Sequence, residues 1–174
     1  MELQILHMIQ GWHNELLDAI MVTFTTFGDS GLGWIAIGLI LAIIPKTRRC
    51  GINVLLTMLI THIIGNMIIN PIVARPRPFL ADPSVELIVK APSSFSFPSG
   101  HSASSFTAAL TLFFYYKKPG VIALLAAATI AFSRMYLFVH YPTDVLCGVL
   151  LGCVDACLVH WGFSKWMKRK GQLN

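Results

Sequence analysis

Along the chain, apolar runs are broken by a few short polar islands. Residues 2–27 are apolar but interrupted by Gln10, Gly11, His13, Asn14, Glu15 and Asp18. This pattern predicts an amphipathic N-terminal segment at a membrane surface, followed by a short or tilted first span. GDSG at 28–31 reads as a turn, and residues 31–45 as a second span ending in the basic KTRR. A third apolar run covers 51–70, a fourth 101–116 closed by KKPG, a fifth 119–137 and a sixth 142–162. Several are shorter than the roughly 20 residues that cross a hydrocarbon core, so tilt or flanking turns must extend them. Between the third and fourth, Ala74 to Phe97 is too polar and proline-rich to span.

Composition changes this from a helical pattern into a membrane protein. Hydrophobic residues make up 55% and charged residues 12% of the 174, against roughly 25% charged in a soluble domain. So short a chain cannot hide that much apolar surface from water. The expectation is an all-α, polytopic transmembrane helix bundle of about six spans, forming one integral-membrane domain over 1–174.

Charge then orients the bundle. The net charge is +5, but the basic residues cluster as KTRR at 46–49, KK at 117–118 and KWMKRK at 165–170, at the ends of apolar runs. That placement marks a cytoplasmic side and anionic lipid headgroups as partners, not nucleic acid. With six spans, both termini fall on the cytoplasmic side. ARPRPF, PSSFSFPSGHSASSF and SRMYLFVHYPTD then share the opposite face, and an odd span count would move only the N-terminus. The four cysteines have no metal-ligand spacing, and the N-terminus lacks the basic segment and cleavage site of a secretory signal.

The islands carry the candidate chemistry. His101 opens the fourth helix after Ser99 and Gly100, where unpaired N–H groups favour an anion. Gly100 lets an anion approach the backbone and Ser99 offers a hydroxyl, although either Ser99 or Ser102 would also serve as an ordinary helix cap. His140 and Asp144 are four apart, so a continuing helical turn puts them on one face. A carboxylate on one imidazole nitrogen leaves the other free to attack. Arg134, Arg75 and Arg77 supply planar donor forks suited to phosphate oxygens. No metal cluster or cofactor motif is present, which points to metal-independent phosphoryl transfer through histidine.

Together, ARPRP at 74–78, PSGH at 98–101 and SRMYLFVHYPTD at 133–144 resemble the type 2 phosphatidic acid phosphatase superfamily. Its pattern is a lysine, six residues and Arg-Pro; then Pro-Ser-Gly-His; then Ser-Arg, five residues and His. The resemblance implies that His140 is the nucleophile, oriented by Asp144, and that His101 is the general acid and later the base. It also implies that Arg77, Arg134, Ser99 and Gly100 hold the phosphoryl oxygens, with Arg75 as an auxiliary contact. The family's lysine falls on Asn70, which supplies no charge, so the expectation is weaker neutralisation of the phosphate, or compensation by Arg75 or Lys90. The implied substrate is a membrane lipid phosphate or pyrophosphate on the extracytoplasmic face of a bacterial cytoplasmic membrane. Undecaprenyl pyrophosphate comes first, and phosphatidate or phosphatidylglycerophosphate second. A vanadate-dependent haloperoxidase shares such an anion site but is soluble. A non-catalytic lipid or anion transporter would leave the two histidines unexplained.

Overall fold

The computed structural model describes residues 1–169; Lys170, which ends the last basic run, and residues 171–174 of the expected domain lie outside the described residues. In chain order the helices are α1 (Glu2–Gln10), α2 (Glu15–Gly28), α3 (Leu32–Ile43), α4 (Arg48–His62), α5 (Asn70–Val73), α6 (Pro78–Ala81), α7 (Gly100–Tyr115), α8 (Lys117–Tyr136) and α9 (Pro142–Arg169). There is no strand among the described residues. All six apolar runs of the sequence are helical. Local chemistry sets the starts: Asn14 accepts from the Leu17 N–H at the head of α2, Ser99 caps α7, and α6 and α9 both begin on a proline. A π-helical stretch over Ile63–Ile69 joins α4 to α5.

Four stretches are long and apolar enough to cross a membrane: Glu15–Ile43, Arg48–Ala81, Lys117–Tyr136 and Pro142–Arg169. At 16 residues, α7 is about 24 Å long, short for a span but central, packed against α4, α8 and α9. Its buried positions are small or hydroxylic, including Ser102, Ala103, Ser105, Thr107, Ala108 and Thr111. Such residues let helix backbones approach closely in lipid. On α9, Gly148 and Gly152 complete the fit: a Cβ there would stand 2.5 Å from the Ser99 carbonyl oxygen and 2.4 Å from that of Ala103. Thr61 of α4, Thr107 of α7 and Asp155 of α9 are joined by hydrogen bonds of 2.9 Å where the three helices meet.

The turn between α2 and α3 does not reverse the chain. Along α2, Asp18 meets Tyr136 and Thr25 meets Arg134, while Gly28 abuts Ile130. The descent continues in α3, where Gly31 abuts Met58 and Ser104, Trp34 bonds Ser105, and Ala42 meets Gly51. The two helices therefore run end to end, kinked at Asp29–Gly31, where Ser30 and Gly31 have φ of 51° and 68°. One consequence corrects the sequence-based expectation that both termini share a side. Glu2 of α1 bonds Thr143 at the start of α9, whereas Arg169 ends that helix about 40 Å further along its axis at 1.5 Å per residue. The N-terminal helix and the C-terminal end of α9 lie at opposite ends of the bundle.

Candidate active site

The three polar islands meet at the end of the bundle where α9 begins. His140 sits in the short link between α8 and α9, and that link is folded tightly back. The Val139 and His140 N–H groups both donate to the Arg134 carbonyl at 3.2 Å, and Phe138 is held at φ 56°. A bulky residue in that region costs about 1–3 kcal/mol, here offset by burial of Phe138 with Leu6 and Tyr141. The helix α1 thus packs over the turn that presents His140.

Donor chemistry fixes the tautomer of His140. Its Nε2 lies 3.2 Å from Nη1 of Arg77, and a guanidinium can only donate. Nε2 therefore carries the lone pair and Nδ1 the proton. Nδ1 faces Ser96 Oγ at 3.5 Å and Asp144 Oδ2 at 3.8 Å, so the carboxylate stands behind the ring without bonding it directly. Burial disfavours the charged imidazolium, and Arg77 and Arg134 add to this against the opposing pull of Asp144, so His140 is held well below its ordinary value of 6.5. It is a neutral imidazole at physiological pH, with the lone pair on Nε2.

Asp144, fully buried, is clamped on every side. Oδ2 accepts from the Ser96 hydroxyl at 2.5 Å and the Tyr141 N–H at 3.0 Å, and Oδ1 from Nη1 of Arg75 at 2.6 Å. Arg75 also donates to Thr143 at 2.7 Å and to Glu2 at 2.5 Å, and lies 3.9 Å over the Tyr141 ring. Glu2, despite partial burial, is kept below the usual carboxylate range by hydrogen bonds from Thr143 and Arg75. This corrects the expectation for Arg75: it is taken up by two carboxylates behind His140 and does not line the cavity in front of it.

That cavity, about 1020 Å³, is lined by His140, Arg77, Arg134, Gly100 and His101, together with Asn70 and Lys90. Arg77 is spread over protein acceptors: its Nε donates to the Ser94 carbonyl at 2.7 Å, Nη1 to that of Val139 at 2.7 Å, and Nη2 to the Ser94 hydroxyl at 3.0 Å. Arg134, 4% exposed, donates from Nη1 to the Thr25 hydroxyl, while its buried Nε has no partner. An unpaired guanidinium N–H in a buried wall is costly unless an anion completes it. Asn66 lies beside Gly100, and its amide would stand 3.1–3.2 Å from a Cβ built there.

Two expected contacts act differently. Ser99 is buried beneath the cavity and accepts from the Ser102 N–H and hydroxyl, the ordinary capping role. Asn70 gives its amide to the Phe95 and Phe97 carbonyls at 3.0 and 2.9 Å, so it ties down the serine-rich segment. Of the residues expected to compensate for it, Lys90 lines the cavity and Arg75 does not. The sequence reading passed over Glu2, Asp29, Asn66 and Ser96. Ser96 was visible only as one serine in a run; Asp29 stood in GDSG, read there as no more than a turn.

Residues 51–168 match the PAP2 superfamily. The chain is 31% identical over 137 residues to an undecaprenyl-diphosphatase of Sulfolobus acidocaldarius, covering 78% of this chain and 66% of that relative, so it spans about two thirds of its length. It is 35% identical over 134 residues to the decaprenylphosphoryl-5-phosphoribose phosphatase of Mycobacterium tuberculosis, covering 76% and 73% of the two chains. Among solved structures, the transmembrane PAP2 type phosphatidylglycerolphosphate phosphatase of Bacillus subtilis superposes with a TM-score of 0.75 at 29% identity, over 95% of this chain and 85% of that one.

Proposed function

The chain belongs to the PAP2 superfamily, and on that premise we propose that it hydrolyses a membrane lipid phosphate or pyrophosphate through a phosphohistidine on His140. One observation carries the reading: the lone pair of His140 Nε2 lies beside Arg77 at 3.2 Å, in a cavity that Arg134 and His101 also line. In the first step Nε2 bonds to the terminal phosphorus, the bond from that phosphorus to the oxygen of the leaving lipid phosphate (or, in a monoester, lipid alcohol) breaks, and His101 gives that oxygen its proton. Arg77, Arg134 and the Gly100 backbone steady the negative charge that builds on the phosphoryl oxygens. In the second step His101 takes a proton from water, whose oxygen displaces His140 and releases inorganic phosphate. The step needs an unprotonated His140, which its burial supplies.

Undecaprenyl pyrophosphate is the preferred substrate in this reading. The similarity to a relative of that name supports it, as does Lys90 on the cavity wall, a cation suited to a second phosphate. A phosphomonoester such as phosphatidylglycerophosphate is the second reading, favoured by the likeness to the Bacillus subtilis structure. The site faces the extracytoplasmic side, because KTRR and KK lie at the α3–α4 and α7–α8 turns, at the other end of the bundle.

The test is phosphate release by detergent-purified protein in chelator, comparing undecaprenyl pyrophosphate, phosphatidate and phosphatidylglycerophosphate in mixed micelles. The expected result is release preferring the pyrophosphate and abolished in His140→Ala. Preference for a monoester would move the substrate to the second reading, and release that persists in His140→Ala would remove the nucleophile from the account. A carrier would bind these lipids and release nothing.

A further inference from the structure

The α2–α3 turn holds a carboxylate against the second histidine. Asp29 Oδ1 lies 3.0 Å from His101 Nε2. The turn is built for that approach. Ser30 has φ 51° and Gly31 φ 68°, and a non-glycine residue at positive φ persists only where its surroundings hold it there. Gly28 leaves the room, since a Cβ on it would stand 3.1 Å from the His101 ring and 2.9 Å from Ile130.

The electrostatic setting makes the contact consequential. His101 shares its cavity with Arg134 from α8, Arg77 from the segment before α6, His140 from the α8–α9 link, His62 from α4 and Lys90 from the loop. Asp29 is the one acidic side chain among the described residues lining it. Burial, with the Arg134 and Arg77 guanidinium groups, opposes a proton on His101 and holds it below its ordinary value; this carboxylate pulls the other way and offsets part of that shift. Nδ1 of His101 has no hydrogen bond among the described residues. With Asp29 on Nε2, Nδ1 is the nitrogen left to exchange a proton.

We infer that Asp29 is a positioning residue: it fixes the ring of His101 by holding Nε2 and offsets part of what opposes a proton there, so that Nδ1 can deliver a proton to the departing oxygen. The inference rests on the phosphatase reading above. In the step concerned, the bond from phosphorus to the leaving oxygen breaks as that oxygen takes the Nδ1 proton; the Asp29–His101 pair passes from net zero to one negative charge, and the new nitrogen–phosphorus bond leaves one positive charge on the His140 ring, so the sum is unchanged.

The dependence on leaving group separates this from a structural role. A poor leaving group such as an alkoxide needs the proton; a nitrophenolate does not. The experiment measures kcat/KM for wild type, Asp29→Asn and Asp29→Glu on an alkyl phosphate and on a nitroaryl phosphate carrying the same alkyl chain. His140→Ala serves as the blank. Asp29→Asn is expected to lose about 10- to 100-fold on the alkyl ester and less than about threefold on the aryl ester, with Asp29→Glu recovering much of the loss. Equal losses on both esters, or no loss on the alkyl ester, would overturn the inference while leaving the phosphatase reading in place. No release by the wild type from either ester would overturn the inference, and none from undecaprenyl pyrophosphate either would overturn the phosphatase reading with it.

Discussion

Among individual residues, Arg75 and Arg77 show how two arginines one residue apart come to do different work. Arg77 points at His140 Nε2, and Arg75 is held behind it between Asp144 and Glu2. The alternation R-P-R-P marks a stiff basic segment but not which side of the histidine each arginine will reach, because that depends on carboxylates 69 and 73 positions away. Removing Arg75 strips a charge-assisted hydrogen bond from a buried carboxylate, worth about 1.5–3 kcal/mol, or roughly ten- to hundredfold in rate. We therefore expect Arg75→Ala to lower kcat by that factor with little change in KM, while Arg134→Ala, whose side chain lines the cavity, raises KM. Steady-state kinetics on one lipid substrate would decide it; a raised KM with kcat intact in Arg75→Ala would return Arg75 to the phosphate.

For the elements, the sequence was legible wherever a local rule operates. The apolar runs gave the helices, Pro142 and Ser99 gave the starts of α9 and α7, and the spacing of His140 and Asp144 placed both at the head of α9. What stayed hidden depends on partners far along the chain. The apparent turn at GDSG proved to be a kink, since a Gly-rich tetrapeptide can either reverse a chain or bend it, and the packing of Gly28 on Ile130 and Gly31 on Met58 decides which. Asn70 was read as a missing charge at the family's lysine position. In the fold it is a tether, with both amide hydrogen bonds given to the segment that carries Ser94 and Ser96. Ser99, read as a phosphate donor or a cap, is the cap.

At the scale of the whole molecule, convergence of the islands survived the error in topology. With α2 and α3 descending together, the N-terminal helix moves to the active-site end and everything after residue 48 keeps its place. This arrangement gives α1 a purpose, because Glu2, Leu6 and His7 cover the turn bearing Phe138 and His140. It also makes a prediction for intact cells or oriented vesicles. A cysteine introduced at His13 in a variant lacking the native cysteines should react with a membrane-impermeant thiol reagent from the extracytoplasmic side, and one at Lys46 only from the cytoplasmic side. Labelling of both from the same side would contradict the kinked descent.

The central claim is that His140 takes up the phosphoryl group, and the most direct measurement is to look for it there. Wild-type protein would be mixed with its lipid substrate, quenched within a turnover under alkaline conditions, which preserve phosphohistidine, and digested for mass spectrometry. The account predicts a phosphoryl group on His140, absent from Asp29→Asn only to the extent that its first step is slowed and absent altogether from His140→Ala. Turnover with phosphate released and no phosphoryl group on His140 at any quench time, or one on His101 instead, would contradict it.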